Sequence, residues 1–144
     1  MYNVIMGFIT DLQFGNEYEK IFVDIMKFEE FNISTGKFKE YDIIDLKTGK
    51  KYEIKSDRLA YKTGNLCIEY MCNKKLSGIS TTTADFYGYF IQKQDKTYHI
   101  YVIPTEKIKL MIDNKSYVKS MNGGDGWKST FYLFKVELFE EFKL

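Results

Sequence analysis

One proline, one histidine, one tryptophan and two cysteines are spread over 144 residues, and each scarcity removes a class of chemistry. His99 stands in the strand-like stretch Tyr98-His99-Ile100, so serine and cysteine triads lack an evident base and zinc sites lack ligands. Cys67 and Cys72 lie five apart on one expected strand, which sends their side chains to opposite faces. That argues against a disulfide or a local zinc pair and implies free thiols in a reducing compartment. No Gly-x-Gly-x-x-Gly follows a strand, and Lys62-Thr63-Gly64 lacks the frame of a phosphate-binding P-loop. There is no run of about 18 apolar residues. The start, Met1 to Gly7, has no basic region leading into an apolar one, so the expectation is a cytoplasmic protein that does not enter a membrane.

What is present is a core. Hydrophobic residues make up 44% of the chain and aromatic residues 17%, enough for a packed globule and too much for disorder. No repeat, linker or low-complexity tract divides residues 1–144, which read as a single domain. The net charge is only +1, so a nucleic-acid-binding face requires local segregation of the lysines. Arg58 is the one basic residue that is not lysine.

The stretch from Tyr41 to Lys55 reads as a hairpin turning at Thr48-Gly49. In the register expected from a turn centred there, Leu46 faces Lys51, Ile44 faces Glu53 and Asp42 faces Lys55. Asp42 then shares a sheet face with Glu53 and Lys55, while Asp45 falls on the other, and a one-residue bulge reverses that choice. Two carboxylates on one face suit Mg²⁺, which binds hard oxygens through one or two carboxylates, phosphate and water. A lysine two residues on can orient an attacking water or offset charge on phosphorus. The plain alternative is an ordinary hairpin with a solvated charged face.

Asp42 followed by Glu53-Ile54-Lys55 resembles the signature of the PD-(D/E)xK nuclease superfamily, with Tyr41 in place of its proline. Gly15-Asn16-Glu17-Tyr18-Glu19 at a helix start resembles the Gly-x-x-x-Glu of archaeal Holliday-junction resolvases, which maps the helix-borne acid onto Glu19, with Glu17 as the fallback. The segments Lys62 to Tyr70 and Ser77 to Tyr87 are similar to small phage-encoded endonucleases of that superfamily. The likeness spans about residues 12 to 136.

The resemblance implies a restriction-endonuclease-like α-β-β-β-α-β core, an α/β fold with a mixed central sheet flanked by helices, plus a C-terminal strand and helix extension. It implies a DNA endonuclease dependent on Mg²⁺ or Mn²⁺. Asp42, Glu53 and the main-chain carbonyl of Ile54 would hold one ion, Glu19 a second ion or its water, and Lys55 would orient the nucleophile. Branched or single-stranded DNA would be the substrate, and a homodimer would match the two cuts a junction needs. The other reading is a non-catalytic nucleic-acid-binding or protein-interaction module that keeps the fold.

The periodicities place a helix over about 16–28, strands at 38–46, 51–56 and 65–71, a short helix at 83–89 capped by Thr82 and Asp85, and a strand at 98–103. Pro104 then opens a helix, and a last strand at 130–136 precedes a short terminal helix at 138–142. Lys62, Thr63, Lys74, Lys75 and Thr82 are candidate phosphate contacts, although loop lysines are ordinarily just solvated. Glu69 is either an extra acid of the site or a charged strand edge. Trp127 either stacks on an unpaired base or packs as core.

Overall fold

The computed structural model describes residues 17–35 and 40–144. The Gly15-Asn16 start signal and the first residues of the expected 38–46 strand lie outside them.

Helix α1 (Glu17–Met26) is amphipathic because Phe22, Val23 and Glu19 recur at helical spacing on its buried stripe. It covers one face of a mixed sheet formed by β1 (Phe31–Ile33), β2 (Ile43–Asp45), β3 (Lys51–Asp57), β6 (Phe86–Gln92) and β7 (Tyr98–Pro104), in that spatial order. Within it β3 and β6 run parallel, and the other neighbours are antiparallel. Under α1 lie Ile43, Tyr52, Ile54, Phe90 and Ile100. Phe22 sits directly over Gly88, where an added Cβ would stand 2.6 Å from the Phe22 ring. Only glycine lets the helix come this close.

The other face of this sheet presents Tyr87, Tyr89, Ile91, Tyr101 and Ile103 to a second core. That core is closed by a second, antiparallel sheet in the order β5 (Lys75–Leu76), β4 (Asn65–Cys72), β9 (Ser129–Lys135), β8 (Lys119–Gly123). Leu66, Ile68 and Phe134 come from that sheet, Ile108 and Met111 from helix α3 (Thr105–Asp113), and Phe139 from the 3-10 segment Val136–Phe142. The short helix α2 (Ala60–Thr63) joins β3 to β4. The architecture is thus α/β with a mixed sheet flanked by helices. No helix among the described residues is long and apolar enough to cross a membrane.

Three local expectations are corrected. Residues 83–89 do not form a helix. Phe86-Tyr87-Gly88-Tyr89-Phe90-Ile91 is β6, as its aromatic and β-branched content favours. The polar pair read as a cap instead ties distant backbone, since Thr82 Oγ1 donates to Glu40 O at 2.9 Å and Asp85 Oδ2 accepts from Lys51 N at 2.9 Å. The 65–71 strand exists but lies in the second sheet, beside the C-terminal β9. Finally, Cys67 and Cys72 face Leu133 and Ser129, four apart on β9, so a bulge between Glu69 and Met71 returns both to one face. They remain free thiols, because five strand residues span about 16 Å, far beyond disulfide reach.

Candidate functional site

The hairpin forms, with a register displaced by two residues from expectation. Ile43 faces Tyr52 and Ile44 faces Lys51. Asp45 causes the displacement by building the turn with its own side chain, accepting from Lys47 N at 3.1 Å and Thr48 Oγ1 at 3.0 Å. Its carbonyl accepts from Gly49 N, and Gly49 takes the positive φ of 76° that closes the loop. Asp45 is therefore a turn residue.

Asp42 does something else. Its N–H donates to Tyr52 O, so Asp42 and Ile43 both oppose Tyr52, the arrangement of a bulge. The bulge turns the Asp42 carboxylate along the edge of β3, where Oδ2 accepts from Ile54 N at 2.7 Å. The carboxylate replaces the main-chain acceptor that a longer β2 would have supplied. It is 5% exposed and lies beside the main chain of Glu53.

Because Tyr52 and Ile54 point under α1, Glu53 and Lys55 point to the opposite face, toward the second sheet. Lys55 Nζ lies 3.4 Å from Glu53 Oε1, and Thr82 Oγ1 lies 3.4 Å from Glu53 Oε2. Tyr87, the β6 partner of Glu53, is 1% exposed, and its hydroxyl has no hydrogen-bond partner among the described residues. Burial pushes that phenol's pKa well up, and the charges of Glu53, Glu69 and Asp42 add to the shift in that order. Glu69 on β4 accepts from Ser77 Oγ at 2.9 Å. Tyr87 thus lies within the field of all three acids. Tyr87 was missed in the sequence because its chemistry arises only from the parallel pairing of β3 with β6.

Glu19 is fully buried on the sheet-facing stripe of α1, on the side of the sheet opposite Glu53, while Glu17 is exposed at the helix start. Among the described residues no group of three or more His, Cys, Asp or Glu side chains is placed to hold a metal ion. An ion at this site would rest on Asp42 and Glu53, with phosphate and water completing its shell, a donor set that matches the hard, oxygen-rich preference of Mg²⁺.

Of the candidate phosphate contacts, only Thr82 touches Glu53. Lys62 and Thr63 are exposed on α2, beyond the far end of β3. Lys62 Nζ sits 5.8 Å from the Tyr61 ring, and Thr63 Oγ1 accepts from Asn65 N. Lys74 and Lys75 are exposed at the β4–β5 turn. Trp127 is 71% exposed on the glycine loop, so it is not core. His99 is half-buried on β7, its pKa lowered by burial and then by Lys143 and Lys93.

Compared with family models, with curated proteins and with solved structures, the chain finds no match.

Proposed function

We propose that the protein is a divalent-cation-dependent DNA endonuclease of PD-(D/E)xK type, acting on branched or single-stranded DNA. The observation that carries this reading is that both acids lie along one short stretch of β3, Asp42 bonded to the Ile54 amide at its edge and Glu53 paired to Lys55 at 3.4 Å on the face toward the second sheet. The accompanying frame is the part of the mixed sheet made by β2, β3 and β6 with α1 over it; the third strand of the expected α-β-β-β-α-β core lies in the second sheet and its second helix is β6 itself, and the partner is DNA, engaged by a homodimer.

In this reading Asp42, Glu53 and the Ile54 carbonyl hold Mg²⁺ or Mn²⁺, which when bound supplies Lewis-acid polarisation of the phosphodiester. Asp42 is pre-oriented by the Ile54 N–H, so little reorganisation is needed on loading. Lys55 leaves Glu53 for the phosphate or the attacking water, where its ammonium offsets charge growing on phosphorus. Thr82 Oγ1, whose proton goes to Glu40 O, lies 3.4 Å from the far oxygen of Glu53, and the rings of Tyr87 and Tyr89 fill the interior behind. Glu19 lies on the buried stripe of α1, on the other face of the sheet from Glu53.

A second reading has a specific observation in its favour. Each acid already has a structural partner, Asp42 closing a strand edge and Glu53 pairing Lys55, as in a binding module without catalysis. One experiment separates the two. Labelled single strands, duplexes, flaps and four-way junctions are incubated with Mn²⁺ or with EDTA. Cutting that needs the metal and disappears in Glu53→Gln and Lys55→Ala supports the nuclease. Salt-sensitive binding with no cutting under any condition supports the module.

A further inference from the structure

A concavity lies away from Glu53, at the other end of β6. Ile91 at its floor is four residues beyond Tyr87, about 13 Å along the strand. It is a cleft of about 550 Å³ at the hairpin end of β6 and β7 beside α2, walled by Tyr61, Ile91, His99 and Tyr101. That volume suits a small organic ligand, and the walls are flat and largely apolar with one imidazole edge. His99 reaches this wall because it pairs with Ile91 and shares a face with buried Tyr101.

A second concavity of about 330 Å³ adjoins the first around Tyr61 and Lys93 and adds Arg58 and Lys96. The chain's single arginine therefore stands with two lysines at the rim of this cleft, in a protein whose net charge is only +1. Lys62, over the Tyr61 ring, adds a fourth cation nearby. The one carboxylate on the rim, Asp95, is engaged by Thr97, accepting from its N–H at 3.0 Å and its Oγ1 at 2.6 Å within the β6–β7 hairpin. The rim is thus cationic and the interior aromatic.

From this juxtaposition we infer that the cleft binds a nucleotide, with the base on Tyr61 beside His99 and the phosphate at Arg58, Lys93 and Lys96. Arginine presents a planar fork to phosphate oxygens, and the lysines act as point charges. Stacking of a base on an aromatic ring supplies the remainder without reading its identity. A free mononucleotide and the 5′-terminal nucleotide of a strand share this chemistry. The inference stands apart from the metal site, because no residue is common to both.

The test uses the full chain carrying Glu53→Gln, so that strands stay intact, with titration calorimetry against deoxynucleoside monophosphates, the matching nucleosides, inorganic phosphate, and short oligonucleotides with and without a 5′-phosphate. Monophosphates are expected to bind at least tenfold more tightly than nucleosides or phosphate alone. Arg58→Ala with Lys96→Ala should weaken them at least tenfold while the circular dichroism and melting temperature stay unchanged. Tighter binding of the 5′-phosphorylated oligonucleotide assigns the cleft to strand ends, and binding of monophosphates alone assigns it to a free ligand. Inorganic phosphate binding as well as the nucleotide, no binding of any probe at millimolar concentration, or an undiminished affinity in the double variant overturns the inference. Loss of metal-dependent cutting elsewhere leaves it standing.

Discussion

Replacing Asp42 by asparagine and by alanine separates what this residue does for the fold from what it does for chemistry. The carboxylate is 5% exposed and accepts a 2.7 Å bond from Ile54 N, itself on a residue 6% exposed. Asp42→Ala leaves a buried amide unpaired, which costs about 2–3 kcal/mol. At about 3 °C per kcal/mol for a domain of this size, the melting temperature falls by about 6–9 °C. Asp42→Asn keeps a carbonyl acceptor in place and gives up only the charge, so it should lose about 1 kcal/mol, or about 3 °C. If the carboxylate also holds the cation, that same asparagine variant loses cutting about a thousandfold, which corresponds to ~4 kcal/mol of barrier. Calorimetric melting and cleavage with Mn²⁺ are measured on the same preparations. Equal destabilisation by the two substitutions would refute the edge-closing role, and undiminished cutting by Asp42→Asn would refute the catalytic one.

Three more outcomes are expected. Gly88→Ala puts a methyl 2.6 Å from Phe22 Cε1 and 2.9 Å from Ile54 Cδ1, so urea unfolding should show a loss of about 1–3 kcal/mol; an unchanged midpoint would mean α1 is not seated on β6. Tyr87→Phe removes a buried hydroxyl that has no partner among the described residues and should raise stability by about 1 kcal/mol, whereas a fall would reveal that the hydroxyl is bonded in solution. Cys67, its thiol pushed up from 9.0 to about 11 by burial and then by Asp57, carries about a hundredfold less thiolate at pH 8 than an ordinary thiol. Its alkylation by iodoacetamide, followed by mass spectrometry, should be correspondingly slower in the native protein than in urea and rise about tenfold per pH unit; equal rates in both would refute the burial.

The hairpin was legible because its signals are local. Thr48-Gly49 marks the turn, and Tyr and Ile mark the strands. The register was not, because it depends on whether the Asp45 carboxylate joins the turn, and the Asp42 bulge depends on where β2 stops. Glu53 and Lys55 share a face because they stand two apart on β3, whatever the register, whereas the bulge takes Asp42 off that face to the strand edge. Alternation in 65–71 identified a strand without saying which sheet would take it, since its partner β9 lies more than 50 residues on. The Thr82 and Asp85 pair looked like a helix cap because a sequence shows their spacing and hides Glu40 and Lys51, the partners they meet across the fold. Glu19 lies on the helix stripe as its spacing suggested, but the stripe faces the side of the sheet away from Glu53.

The hydroxyl of Tyr89, reaching out of the first sheet, accepts from Cys67 N at 3.1 Å and donates to Asp57 Oδ2 at 2.6 Å. β5 pairs only with the far end of β4, at Met71 and Cys72, so the stretch around Cys67 would otherwise offer bare amides to any passing extended peptide. A phenol from the facing layer stoppers that row, and a carboxylate anchors the stopper. Pairing of another chain at Cys67 therefore requires the Tyr89 contact from the facing layer to open first, which ties the protection of this amide to the integrity of the aromatic interior.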